Sequence, residues 1–493
     1  MRKAVFMSVF CVWWLSPAAG LRAAESPGPY VTVSVDPRVE LMSIIFRLAG
    51  NPEYSRGRVP SYVQDVDSHF GKFQDHPVVV LARKLRQTRQ IGSNAPMSLA
   101  VHVTDAVSLA ERVPLSPRPA PLDPRWTPEN AREFLDLARQ FVAEARFQDF
   151  FDQHTSLYQV AARALQEVLD QHAHLEWFDQ FFGPRKGAEF RVIVSPLASG
   201  NHYGAQVTLP DGRDALYSII TVGRTDSQGQ PVFSPEVAFL TVHELTHSYT
   251  NAMVDRFAPE LRGPGEKIFR FVRPEMERQA YGTWHTTMCE SLVRACGLRY
   301  LLATEGRAAL EKQIRFENSW SFYWVGELAE VLGAYDTQPR TFSDLPQFFP
   351  RIIAFFDDYA KNAEAKFEAI RAEKEQQLQQ WRQKGPKIVA MIPANGAQDV
   401  DPNLQTIVVT FDRPMRDGGW ATVAVASWDQ VPKSTGPQYD QTRKVFTMQV
   451  QLQPEKEYVF SLNDERYLGF CSEEGIPLAP VAVRFKTKPA DKK

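Results

Sequence analysis

The hydrophobic positions of this chain keep two rhythms. From Pro37 to about Lys384 they mostly recur every three or four residues, which is the spacing of one helix face. After Gly385-Pro386 they alternate singly, the spacing of a strand. A short alternating segment, residues 30–36, comes before the first helical pattern. Pro37 opens that pattern, and Val39, Leu41, Ile44, Ile45 and Leu48 carry it. A series of amphipathic helices is predicted up to about residue 182. The clearest covers residues 127–171, with Pro128 near its start and Phe134, Leu137, Phe141 and Val142 at helical spacing, and it should break once or twice. Residues 189–197, 202–209 and 215–222 read as strands, separated by Gly200 and the Pro210-Asp211-Gly212 turn. Ser234-Pro235-Glu236 then begins a long helix, with Ser234 as cap and Pro235 at the first helical position.

Helical spacing returns beyond Thr341 and ends in a polar stretch over about 353–384. Its apolar marks (Phe367, Ile370, Leu378, Trp381) are too sparse for a coiled coil, so it reads as a strut. Alternating segments such as 407–411, 445–448 and 481–485 predict a small β-sandwich of about 100 residues. The class is α+β. A mainly helical domain with a small sheet covers residues 25–352, a helical linker 353–385, and a small all-β domain 386–493.

Composition adds exclusions. Hydrophobic residues at 44% and charged residues at 23% are ordinary for a globular chain, which argues against disorder and fibrous repeats. Lys+Arg 56 against Asp+Glu 58 gives a formal charge of -2, so no broad nucleic-acid-binding surface is expected. Arg2 and Lys3, the apolar run from Ala4 to Leu15, and the small residues from Ser16 to Gly20 have the layout of a signal peptide. Residues 1–24 are assigned to it. Cleavage after Gly20 suits the small-residue rule better than cleavage after Ala24, which puts Arg22 in a small-residue place. No later run approaches the length of a membrane span, so an exported protein, periplasmic or secreted, without a transmembrane segment is expected. Removing the leader leaves Cys289, Cys296 and Cys471, an odd count. Cys289 and Cys296 lie two helical turns apart, roughly 10 Å, too far for a disulfide. There is no CxxC, GxSxG, GxxxxGK[ST] or GxGxxG, which removes thiolate-metal, nucleophile-elbow and nucleotide readings.

One motif carries chemistry. His243-Glu244-Leu245-Thr246-His247 is an HExxH inside a helical pattern. A spacing of four puts both imidazoles on one helical face, where they can grip a single metal ion; zinc suits neutral imidazole and leaves room for a third ligand and a water. Glu244 projects beside the pair, placed to take a proton from that water. Chance gives this pattern in about one such chain in a hundred.

The third ligand is open at this point. Thr250 and Met253 stand where an HExxHxxGxxH site needs Gly and His, which excludes that arrangement. Glu290 lies in the apolar part of a predicted helix around 281–295, where a carboxylate is costly unless paired or metal-bound. Arg294 sits one turn on and offers a plain ion pair instead. His285 is the remaining alternative, but it lies about 140° around the helix from Glu290, so the two cannot easily share one metal. Candidates for holding the substrate oxygen are His202, Tyr203, Tyr281 and His285.

HELTHSYTN followed by TMCESLVRA resembles the gluzincin zinc metallopeptidases. The stretch from about Val31 to Arg294 is also similar to a family of exported bacterial proteins known only as a domain of unknown function with HExxH. That likeness rests on Asp36-Pro37-Arg38-Val39-Glu40, Asn201-His202-Tyr203-Gly204, the HExxH and Glu290-Ser291-Leu292-Val293-Arg294. It implies a zincin-like fold, zinc held by His243, His247 and Glu290, and Glu244 as general base, but supplies no known substrate; the leading expectation is an exported zinc metallopeptidase acting on a peptide or protein substrate. Ile392-Pro393-Ala394-Asn395-Gly396 and Val409-Thr410-Phe411-Asp412 resemble the bacterial Ig-like domain, which implies a fold and a place for cell-envelope contact. The other functional class kept open is a non-catalytic envelope-binding protein on the same scaffold.

Overall fold

The computed structural model describes residues 31–119, 121–183, 189–198 and 202–489. The leader assigned to residues 1–24 lies outside them, as does Asn201. A four-stranded sheet organises the first part of the chain. Strands β1 (Thr32–Ser34), β2 (Glu189–Ser195), β3 (Tyr203–Thr208) and β4 (Asp214–Thr221) lie in the order β1-β2-β4-β3. β1, β2 and β4 run parallel, and β3 pairs antiparallel along one edge with Gly204 opposite Ser218. β4 is buried from Ala215 to Thr221, which accounts for its nearly unbroken apolar run. A short hairpin of β5 (Arg224–Thr225) and β6 (Pro231–Val232) leads out of the sheet.

The helices begin as the sequence predicts. Asp36 caps the helix Pro37–Leu48, accepting from the Arg38 N–H at 2.9 Å, a contact worth about 1 kcal/mol. The run after Thr127 breaks twice, into Pro128–Glu144, Phe147–Gln153 and Thr155–His172; Arg146, at φ 50°, marks the first break. Three expectations need correction. Residues 102–127 hold no helix among the described residues, because Pro114, Pro117, Pro119, Pro121 and Pro124 deny a helix its donors. The polar stretch is two helices, Leu345–Lys361 and Ala363–Lys384, meeting at Asn362. Its first half is no bare strut: Phe348, Ile352, Phe356, Tyr359, Ala363 and Phe367 continue one apolar face across the break and are buried in the main core. The long central helix starts at Glu236 with Pro235 as cap, one residue later than read.

That central helix, Glu236–Arg256, carries the HExxH. It packs against β3 and β4 on one side and along the helix Trp284–Thr304 on another. The two helices cross closely because position 297 is glycine; a Cβ there would stand 3.1 Å from the Phe239 ring.

The last part of the chain is all β. Strands β7 (Ile388–Ile392), β8 (Thr406–Phe411), β9 (Thr422–Ala424), β10 (Lys433–Tyr439), β11 (Val445–Gln451), β12 (Glu457–Leu462) and β13 (Val481–Lys486) form two antiparallel sheets, β10-β11-β8-β7 and β13-β12-β9. Ile407, Val409 and Phe411 alternate inward and share a core with Phe446, Met448, Phe460 and Phe485, as strand periodicity requires. The turn before Leu468 reaches the helices: the Arg466 guanidinium lies 5.0 Å over the Trp320 ring, and Lys374 pairs with Glu465. No helix among the described residues is long and apolar enough to cross a membrane. Cys289, Cys296 and Cys471 are free thiols.

Candidate metal centre

On the central helix, Val237, Ala238, Thr241, Val242 and Leu245 turn into the core, leaving His243, Glu244 and His247 on the less buried side. The two imidazole rings lie 5.0 Å apart. Glu290, buried in the second turn of the helix Trp284–Thr304, faces both: its Oε2 is 3.6 Å from His243 Nε2, and its Oε1 is 3.3 Å from His247 Nε2. One donor atom from each of the three residues lies within 4.8 Å of the others. The imidazole side chains keep 17% and 18% of their surface exposed against 9% for Glu290, so the site opens on the histidine side.

The surroundings suit a cation. Asn251 Oδ1 lies 3.2 Å from His247 Nδ1, which places the proton on Nδ1 and frees Nε2 as an acceptor. Burial pushes the His243 imidazole down to about 3 and keeps it neutral. Burial also opposes charge on His247, but the facing Glu290 carboxylate outweighs it and raises that ring. For Glu290 burial works upward, and the neighbouring His247 outweighs it, so the carboxylate stays ionised. Its Oε2 is buried without a hydrogen bond. Beyond it, Arg294 is shared between two buried carboxylates, Glu290 and Glu317, which leaves one negative charge unmatched by that cation. Two imidazole nitrogens and a buried carboxylate oxygen without a hydrogen bond fit a divalent ion, which would take the place of the proton that Glu290 draws onto His247.

Around this triad the structure sorts the other candidates. Glu244 lies against the edge strand and accepts from the Gly204 N–H; burial raises its carboxyl to about 7. His202 Nδ1 accepts from the Thr221 N–H at 3.2 Å, so the neutral ring carries its proton on Nε2, and burial lowers its pKa to about 4. Residues two apart on a strand share a face, so His202 lies on the Gly204 side, towards the central helix. Tyr281 Oη accepts from Arg294 Nη2 at 3.3 Å, and burial together with the Glu290 charge keeps the phenol protonated. Two candidates stand elsewhere. Tyr203 is buried on the opposite face of β3 against Tyr54, the consequence of strand alternation. His285 Nε2 is 2.8 Å from Asp255 Oδ1, tying together the ends of the two helices on a face turned away from that of Glu290.

Sequence reasoning missed Asn251, Glu317 and the Gly204 contact. Asn251 was legible, since it stands one helical turn beyond His247. Glu317 comes from the separate helix Arg307–Ser319, and no local pattern points to it.

The family model described as "Domain of unknown function (DUF4932)" matches residues 31–355, and the one described as "Bacterial Ig-like domain" matches residues 382–487. No curated protein matches the chain. Among solved structures the chain is similar to a crystal structure of the S-layer protein rSbsC, at 12% identity over 50% of this chain and 33% of that one, with a TM-score of 0.16. It is likewise similar to surface layer protein SbsC, domains 1-6, at 13% identity, the same coverage and the same score. The chain covers about a third of the length of those structures, and a score that low supports no statement about fold.

Proposed function

The chain belongs to the family described as "Domain of unknown function (DUF4932)", and from that premise, which names no chemistry, we propose an exported zinc-dependent metallopeptidase of the zincin type, acting on peptides or proteins. The observation that carries this reading is the convergence of His243, His247 and Glu290 beside Glu244. Zinc bound there supplies a Lewis acid that lowers the pKa of a water towards about 7 and polarises a carbonyl. Glu244 takes a proton from the attacking water and delivers it to the amine as the C–N bond breaks. The Tyr281 hydroxyl and the His202 Nε2–H are the donors available to the carbonyl oxygen as charge develops on it. β3 lies at the sheet edge beside the central helix, so an extended peptide can add to it by backbone hydrogen bonds.

The rival reading, a non-catalytic envelope-binding protein, leaves the Glu244 carboxylate only its bond to the Gly204 N–H. Envelope contact is assigned instead to the Ig-like region, residues 382–487. Metal analysis of the purified full chain tests the proposal. About one zinc per chain, lost in His243→Ala, is the expected result; a folded protein that takes up no metal overturns it.

A further inference from the structure

Resting on the metal-site reading above, we propose that Arg294 is a positioning residue that makes Glu290 a one-oxygen ligand. Arg294 stands one helical turn beyond Glu290, and its guanidinium is already held at other points. Nη1 donates to Glu317 Oε2 at 2.5 Å, Nη2 donates to Tyr281 Oη at 3.3 Å, and the Phe322 ring lies 4.3 Å from its central carbon. A charge-assisted bond, a second hydrogen bond and a ring face fix a planar group in both position and tilt. None of them uses Nε. That nitrogen is buried without a hydrogen bond and faces Glu290 Oε2, which is also buried without one, at 3.4 Å.

Two complementary unsatisfied atoms at that separation are one small movement from a bond. The terminal torsion of a glutamate is soft, so a modest rotation of the Glu290 carboxylate closes the gap. The rotation sorts the oxygens, with Oε2 going to Arg294 and Oε1 staying on the side of His247. A carboxylate with one oxygen committed to arginine has one to give a metal. Two histidines and one carboxylate oxygen then leave the position that an open catalytic site keeps for water or substrate. Released from Arg294, the same carboxylate is free to chelate through both oxygens, which with the two imidazoles and that water makes five ligand atoms in place of four. Arg294 therefore does more than neutralise buried charge: its Nε sets the coordination number.

Cobalt(II) substituted into the full chain tests this, because its visible absorption weakens when coordination rises from four to five. Arg294→Met and Arg294→Lys are compared with the wild type. The lysine variant keeps a positive charge beside Glu317, which preserves folding, but lacks Nε. Both variants are expected to bind cobalt and to show clearly weaker absorption. A folded lysine variant with the wild-type spectrum overturns the proposal, and so does one that binds no cobalt; if the methionine variant fails to fold, the lysine variant decides. A wild type that takes up no metal overturns the metallopeptidase reading itself. Cobalt bound by the wild type and lost in His243→Ala preserves that reading, and the spectra then judge Arg294 alone.

Discussion

A Cβ on Gly204 would stand 3.2 Å from the backbone oxygen of Glu244 and 3.4 Å from its Oε2. The edge strand and the proposed base are thus in direct contact: a Cβ would press on the backbone oxygen, and branches beyond it would crowd the carboxylate. Gly204→Val is expected to displace Glu244 while leaving the three proposed ligands in position. Misplacing a catalytic group by about 1 Å costs on the order of 10²-fold. The check is zinc content beside turnover on a peptide substrate: turnover should fall by about that factor with zinc unchanged. Equal turnover in the valine variant removes Glu244 from the reaction, or the contact from importance.

Glu244→Gln separates base from ligand. The amide keeps the shape and the Gly204 contact, so the variant should fold and retain its zinc. Without a carboxylate to accept the proton, turnover should fall by roughly 10²–10⁴-fold. Undiminished hydrolysis with zinc retained means that another group is the base.

Glu290→Gln addresses the third ligand. A neutral amide oxygen is a poor partner for a divalent cation, and a competition titration with a chelator should show affinity lowered by more than about 100-fold, beyond the loss of an outer partner. His285→Ala is the control. Its ring is engaged by Asp255 rather than by the triad, so its removal should leave affinity unchanged. Loss of zinc in the alanine variant with retention in the glutamine variant would reverse the two assignments.

What could be read in advance follows from how far each signal reaches along the chain. The spacing of His243 and His247 is a property of one helix, so it was legible, as were the strand alternation at 407–411 and the proline start at Pro37. Glu290 was legible as an anomaly, a carboxylate in an apolar helical stretch, although sequence could not say whether the metal site or Arg294 claimed it. In the structure it faces both. The face of Tyr203 depended on the register of β3, where one residue reverses inside and outside. Glu317 and the Trp320–Arg466 contact depend on how separate elements pack, and nothing in the local sequence encodes that.

The last expectation concerns Glu40, which the site does not use. It is fully buried on the helix Pro37–Leu48. Ser195 Oγ donates to its Oε1 at 2.6 Å and Tyr62 Oη to its Oε2 at 3.0 Å, with the Tyr158 hydroxyl 2.8 Å beyond Tyr62. Burial outweighs those donors and lifts the carboxyl from 4.5 to about 7. A folded-state value above the unfolded one means that the folded protein holds this proton more tightly. Its contribution to stability is therefore complete below about pH 4.5 and is lost as pH rises through 7. A shift of that size corresponds to something on the order of 3 kcal/mol. Glu40→Gln cannot titrate, and at pH 5 its two N–H donors must sit where the protonated carboxyl carries a single O–H, so it should be less stable than the wild type there by roughly 1–3 kcal/mol. Between pH 5 and pH 8 the wild type should lose this contribution and the variant should not, while all other titrating groups cancel in the comparison. Urea unfolding of both proteins at the two pH values measures it. The gap should narrow or reverse at pH 8; parallel curves would place the Glu40 carboxyl back in the ordinary range.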